Sequence, residues 1–448
     1  MHRVEQAIKS AHETRALHIG VNILEQIPTY FAEQFPQRKA IIIADETTFK
    51  VSGRSVSELL HNAGVAQDEP FIFTEPDLHA EYHHVEQLVK ALAQSEAIPV
   101  AVGAGTINDL TKLAAHYSNR PYFCIATAAS MDGYSSFGAS ITYQGIKQNF
   151  DCPAPQVILA DLEIIRNAPS ELTASGYADL FAKVTAGADW ILADELSIEA
   201  VEPTAWSIVQ DGLQDALGSP AGALAGDVEA ISSLIEGLML GGFAMQWSRT
   251  TRCASGAEHQ FSHLWDMEHH THNGRAPSHG FKVGIATLYV SALYEQLLNH
   301  PVEQLDIEAC CRLWPEWEQQ EARAREMFAG TCLLETVLTE MYAKYITREA
   351  LAQQLGLLKE RWPILKERLI HQLVPSSEVK RRLQLVGAPV EPEDIGISRD
   401  RLRNSFLRAY HIRRRFTILD LAIRIGCFDL WLEKIFENNQ IINNYGKN

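Results

Sequence analysis

The chain has 448 residues, of which 46% are hydrophobic and 21% charged, enough for two or three domains sharing a large interface and too ordinary a composition for a disordered or fibrous protein. A formal net charge of −17 sets the long-range field against nucleic acid and anionic membrane, so neither is expected as a partner, and an anionic substrate needs a local cationic pocket. Seven scattered cysteines without a C-x-x-C pair suit a reduced, cytoplasmic compartment, and the opening MHRVEQAIKSAHETRALHIG lacks the apolar core of a secretory signal.

The first third alternates strand and helix. Lys39–Asp45 (KAIIIAD) is a continuous apolar run ending in an acid, as a strand buried on both faces should look. Pro70–Phe73, Ile98–Val102 and Tyr122–Ala126 repeat the theme, with helices expected over Ala80–Ser95 and Asn108–Ser118 between them. Ala139–Phe150 alternates about Gln144-Gly145 and reads as a hairpin appended to that sheet, and Gln156–Asp161 is a last strand. The alternation predicts a Rossmann-like, doubly wound parallel sheet.

Past Pro169 the strand-like runs vanish. Long segments rich in Ala, Leu, Glu, Arg and Gln follow, among them Leu180–Ala193, Val228–Met245, Gly280–Leu297 and Asp400–Ile425, and Val374–Arg399 with its prolines is the expected irregular stretch. The longest apolar run, near Leu234–Met245, contains Glu236 and falls short of the roughly 20 residues of a membrane span, so it reads as a core helix. The division expected is an α/β domain over 1–168 and an all-α domain over 169–448.

Four motifs carry chemistry. In Gly103-Ala-Gly105-Thr106-Ile-Asn108-Asp109 a strand ends in two glycines and a helix begins at once, aiming backbone N–H groups at whatever lies above the turn, which suits a pyrophosphate. The same stretch also reads as a plain tight turn with Asn108 or Asp109 as the cap, and Asn108 stands where the third glycine of a G-x-G-x-x-G fingerprint would be. Asp45, at the end of an earlier strand, is placed either to read a ribose or to cap a helix. Thr127-Ala-Ala-Ser130-Met-Asp132-Gly-Tyr134-Ser-Ser136 follows another strand and lines the same carboxyl edge. Asp179, on an apolar helix face beside Leu180 and Phe181, needs a cation or several donors, and Lys183 one turn on offers one.

The fourth motif runs Ser255-Gly-Ala-Glu258-His259-Gln260-Phe-Ser-His263, followed by His269, His270, His272 and His279. His259 and His263 share a helix face, but Gln260 stands where a metalloprotease H-E-x-x-H would need its glutamate. His269, His270 and His272 fall in a polar segment and are expected to face solvent, whereas His279 sits at a helix entrance. Asp179, His259 and His279 together would make a two-His, one-carboxylate site with an open position, the arrangement of a catalytic divalent metal.

In this order the motifs, from the glycine turn to His279-Gly-Phe-Lys-Val-Gly284, resemble those of the sn-glycerol-1-phosphate dehydrogenases, in the superfamily of glycerol dehydrogenase, iron-containing alcohol dehydrogenases and dehydroquinate synthase. The resemblance covers roughly residues 15–290 and, more loosely, Ala409–Leu421. It implies a dehydroquinate synthase-like fold, Asp179, His259 and His279 as metal ligands, and Asp132 and His263 against the substrate. It puts Gly103, Ala104, Gly105, Thr106 and Asp109 at the pyrophosphate, Thr127, Ser130 and Ser136 along the rest of the dinucleotide, and Asp45 at the ribose. A carboxylate there disfavours a 2′-phosphate and favours NAD over NADP. Two departures stand out: Ala104 replaces the middle glycine of the family's turn, and Lys183 stands where the iron enzymes carry a further histidine, which points to Zn or Ni. The implied reaction interconverts dihydroxyacetone phosphate and sn-glycerol 1-phosphate, with oxidation of an unphosphorylated polyol and a dehydroquinate synthase-like lyase as rivals; the domain size and extended C-terminal helices suit a homodimer. Arg249, Arg252 and Lys282 are the basic residues nearest the motifs for the phosphate.

Overall fold

The computed structural model of the chain describes residues 2–437, so Met1 and residues 438–448, the end of the expected helical domain, lie outside the described residues. Six strands form one parallel sheet: β1 (Ala16–Gly20), β2 (Ala40–Asp45), β3 (Phe71–Phe73), β4 (Ile98–Gly103), β5 (Phe123–Ala126) and, after a hairpin, β8 (Val157–Asp161). Their spatial order is β1-β8-β5-β4-β2-β3. The central strands β4, β5 and β8 are buried at every position and β2 at all but Asp45, which is why they read as unbroken apolar runs. Ile42, Val100, Ile125 and Leu159 pack with Phe31 and Leu60 into one core cluster. The parallel register sets Gly103 beside Ala126 and Ala126 beside Ala160, so the loops leaving β4 and β5 emerge side by side.

Two features differ from the sequence reading of this region. Strand β1 was not expected; it is an edge strand of intermediate burial throughout, and its Ala-Leu-His-Ile-Gly lacks an apolar signature. The hairpin of β6 (Ala139–Tyr143) and β7 (Ile146–Phe150) is a separate antiparallel sheet and does not extend the main one. Gln144 and Gly145 both have positive φ, 52° and 78°, the turn whose twist matches paired strands.

Packing divides the chain into two compact units. The first takes the residues up to Leu180 with Thr204–Thr251 and Leu385–Gly387; the second takes Phe181–Pro203, Arg252–Gln384 and the residues from Ala388 on. Helix α1 (Gly105–Tyr117) follows β4, and α2 (Ser170–Glu195) is a single 26-residue helix within which the division falls, after Leu180. Helix α3 (Val228–Ser248) has the length and hydropathy to cross a membrane, but 67% of its most apolar window is buried within the protein, as a core helix requires.

In the second unit α4 (Ala257–Met267) packs against α5 (His279–Leu298) and α6 (Arg399–His411). Phe261 meets Phe406 edge-on at 4.8 Å, and the Trp265 indole N–H donates to Ser405 Oγ at 2.9 Å. The expected helix Asp400–Ile425 is two helices, because Thr417 adopts an extended backbone, forms a capping box with Asp420 and starts Ile418–Arg424 afresh. The stretch expected to be irregular, Val374–Arg399, contains the helix Ser376–Leu385, with Pro375 just before its start and Pro389 beyond its end, so the prolines punctuate the helix without breaking it.

Candidate metal centre

At the carboxyl edge of the sheet only Ala104 separates β4 from α1. The helix starts at Gly105, three residues before the expected Asn108, so Asn108 and Asp109 lie inside it and do not cap it. Gly103 permits the sharp turn: a Cβ there would sit 2.5 Å from Ile107 Cβ. Among the described residues no side chain caps α1, and Ala104, Gly105 and Thr106 keep partial exposure, which leaves the positive helix end open to an anion. Asp109 faces elsewhere: its carboxylate accepts the Ser140 N–H at 3.2 Å and the Asn108 amide at 3.3 Å, anchoring the hairpin, and burial raises its pKa. Asp45 caps the short helix after β2, accepting the Thr48 N–H at 2.7 Å.

The loop from Thr127 to Gly138 is fixed from several sides. Thr127 N–H donates to Gly103 O at 3.2 Å. Lys112, 1% exposed on α1, donates to the carbonyls of Gly133, Ser136 and Gly138 at 2.9, 2.9 and 3.0 Å, so a buried ammonium ties the loop to α1. Ser130 Oγ lies 3.2 Å from the Tyr134 hydroxyl, and Ser136 Oγ donates to Gly133 O at 3.1 Å, so both expected cofactor residues take part in shaping the loop. Two helices close onto the loop backbone through glycines. A Cβ on Gly176 of α2 would lie 1.9 Å from Ala129 O, and one on Gly242 of α3 2.1 Å from Ser135 Oγ. Ser135 Oγ donates to Met239 O at 2.7 Å.

That approach positions Asp179, one turn beyond Gly176 and fully buried. Its carboxylate accepts the backbone N–H of Asp132 at 3.0 Å, joining the loop to α2. Lys183, one turn further, is also fully buried. Asp179, His259 and His279 each offer one ligand atom, and these atoms lie within 4.8 Å of one another. Two imidazoles and a carboxylate form a donor set suited to a divalent ion such as zinc.

The histidines belong to α4 and α5. His259 is in the first turn of α4, and His279 is the first residue of α5, behind the cap Ser278. Their rings are 5.3 Å apart, and His263, one turn along α4, stands 6.3 Å from His259 and 6.5 Å from His279. Sequence reasoning passed over what holds them. Glu258, fully buried, places Oε1 2.8 Å from His259 Nδ1 and takes the Gly256 N–H on the same oxygen at 2.6 Å, while Thr185 donates to Oε2 at 2.8 Å. Burial raises the Glu258 pKa, but the His259 ring and these donors outweigh it and hold the group below the usual carboxylate range. Asp189 accepts the Ala257 N–H at 2.7 Å, the Ile418 N–H at 2.8 Å and the Tyr294 hydroxyl at 2.6 Å; burial and the nearby Glu258 push it up to about 7.

The conspicuous histidine cluster divides. His269 is exposed as expected, but His270 is 8% exposed, with Nε2 2.6 Å from Ile395 O and Nδ1 2.8 Å from Arg401, so its solvent-facing reading is corrected. The partners lie more than a hundred residues away, where no local pattern reveals them. His272 is half-buried. Of the basic residues weighed for a phosphate, Arg249 pairs with Glu13 at 2.7 Å and Lys282 with Asp266. Arg252 donates to the carbonyls of Asp189 and Phe416, so all three have partners.

Comparison with known proteins bears on this geometry. The family model for iron-containing alcohol dehydrogenase matches residues 18–169. A glycerol-1-phosphate dehydrogenase [NAD(P)+] of Halalkalibacterium halodurans is 29% identical over 425 residues, 93% of this chain and 95% of the relative. One from Bacillus licheniformis is 32% identical over 284 residues, 63% of this chain and 70% of the relative. Among solved structures, a glycerol dehydrogenase from Schizosaccharomyces pombe superposes with a TM-score of 0.60 at 15% identity, covering 95% of this chain and 91% of that one, which places the fold in the dehydroquinate synthase-like class.

Proposed function

The chain belongs to the glycerol-1-phosphate dehydrogenase family, within the iron-containing alcohol dehydrogenase superfamily, and on that premise we propose that it reduces dihydroxyacetone phosphate to sn-glycerol 1-phosphate, and the reverse, with a nicotinamide cofactor. The observation that carries the reading is the convergence of Asp179, His259 and His279 within 4.8 Å. When bound, a divalent ion, zinc or nickel, polarises the carbonyl and stabilises the growing negative charge, and the nicotinamide provides the hydride.

The chain's own residues do the rest. Asp179, His259 and His279 hold the ion, with Asp179 kept in place by the Asp132 N–H. His263, on the same face of α4, holds the proton that passes to the product oxygen, and Asp132 orients the substrate hydroxyl. The N–H groups of Gly105 and Thr106 at the uncapped start of α1 receive the pyrophosphate. Thr127, Ser130 and Ser136 line the loop along the dinucleotide.

Steady-state assay of metal-loaded protein with NADH tests the substrate: turnover of dihydroxyacetone phosphate, with dihydroxyacetone at least about 100-fold poorer in kcat/KM, is expected where a site pairs with the phosphate. Oxidation of free glycerol with indifference to the phosphate ester would instead place the protein with the polyol dehydrogenases.

Asp45 is proposed as the ribose reader that sets NAD above NADP. Asp45→Asn keeps an oxygen for the Thr48 N–H, so the cap survives, while the charge opposing a 2′-phosphate is lost. The ratio of kcat/KM for NADPH over NADH is expected to rise by about 10-fold, the equivalent of about 1.4 kcal/mol. An unchanged ratio removes Asp45 from the site.

A further inference from the structure

Neighbouring residues on a helix point about 100° apart and do not normally meet. Glu258 and His259 do, because in the first turn of α4 the Glu258 side chain folds back towards the cap, where Oε1 accepts the Gly256 N–H at 2.6 Å and lies 2.8 Å from His259 Nδ1. Gly256 makes the fold-back possible: a Cβ there would lie 2.5 Å from Asp189 Oδ2 and 2.9 Å from Glu258 Oε2. The second carboxylate oxygen is held by the Thr185 hydroxyl at 2.8 Å, and both Glu258 and Thr185 are fully buried. Since Oε1 already serves as an acceptor, the ring nitrogen beside it must be the donor. His259 therefore carries its proton on Nδ1 and turns the Nε2 lone pair outward.

We propose that Glu258 is a positioning residue of the metal centre: with Thr185 as its brace it fixes the tautomer and ring plane of His259 and thereby sets the affinity for the divalent ion. The inference rests on the reading of Asp179, His259 and His279 as ligands. At His279 the Nδ1 lies 3.3 Å from Ser262 Oγ, a hydroxyl that can donate or accept. Outer partners of ligating histidines carry about 10- to 100-fold in metal affinity.

The test is zinc affinity of the full-length protein, measured by competition with a chromophoric chelator, with far-UV circular dichroism confirming the fold and the visible absorption of the cobalt-substituted protein reporting ligand geometry. Glu258→Gln retains an acceptor but loses the charge, and is expected to weaken zinc by about 10-fold and to shift the cobalt bands; Glu258→Ala should weaken it by about 100-fold. Thr185→Val, which removes the brace alone, should fall between wild type and Glu258→Gln. Wild-type affinity in both Glu258→Gln and Thr185→Val overturns the proposal, and these two decide it if Glu258→Ala does not fold. His259→Ala separates this failure from that of the underlying reading. If it loses zinc while the Glu258 and Thr185 variants keep it, only the positioning role falls; if it binds zinc as wild type does, the ligand assignment falls with it.

Discussion

Replacement of His259 by alanine is expected to strip the divalent ion from the protein and to lower kcat/KM for dihydroxyacetone phosphate by about 1000-fold or more. The magnitude follows from what such an ion contributes. Charge stabilisation at a developing alkoxide is worth several kcal/mol, and about 4 kcal/mol corresponds to a factor of about 1000. With two ligands left, Asp179 and His279, a catalytic site no longer holds three protein donors and loses both affinity and geometry. The ring is buried beside Glu258 and the rings of His263 and His279, so circular dichroism is used to confirm that the variant keeps its fold. Elemental analysis beside kinetics checks this result. A folded variant that keeps one equivalent of metal and wild-type turnover would show that the three-residue cluster is not the metal site.

Gly176→Ala is expected to destabilise the protein by about 3 kcal/mol or more and to lower activity with it. The added carbon would lie 1.9 Å from the carbonyl oxygen of Ala129 and 2.8 Å from its carbon. Neither atom is the end of a flexible side chain, so the strain can be relieved only by moving α2 or the loop after β5. Either movement pulls the Asp132 N–H away from the Asp179 carboxylate, now 3.0 Å apart, and disturbs Ser130, whose carbonyl accepts from Ser175 Oγ at 3.3 Å. Thermal unfolding gives the stability loss and metal titration gives the loss at the site. A variant with wild-type melting temperature and zinc affinity would mean that the close approach of helix and loop is not required. Elsewhere on α2, where alanines already populate positions such as 186 and 188, methyl groups are accommodated without such contact.

The sheet was legible because its central strands are buried on both faces, and burial on both faces writes an unbroken apolar run into the sequence: Ile41–Ala44, Val100–Val102 and Phe123–Ala126 announce themselves. The edge strand β1 was not legible, since no described strand pairs with its outer side and His18 and Gly20 dilute the pattern. Helix boundaries moved where side-chain capping competed with backbone geometry, as at Gly105 and at Thr417. At the site, spacing proposed that His259 and His263 share a face, and their rings do stand 6.3 Å apart on α4. Spacing could not reach Asp179, eighty residues earlier, without the ordered motifs. It was silent about Glu258, whose role depends on a fold-back made possible by a glycine, and about Lys112, a lysine like any other until three carbonyls surround it. Nor did polarity identify His270 as buried, because the groups that enclose it come from Ile395 and Arg401.

The ammonium of Lys112 has a thermodynamic consequence for ligand association. Fixing one residue of a mobile loop into a single conformation costs about 1–2 kcal/mol of entropy, and a segment as long as Thr127–Gly138 left free would subtract much of the gross affinity of any dinucleotide that had to order it. Here the ordering is done during folding, by a cation held against three backbone oxygens at 2.9–3.0 Å. On the proposed reading, a dinucleotide laid along this loop would meet a segment already ordered, and the free energy of its contacts would go into occupancy instead of into organising the protein.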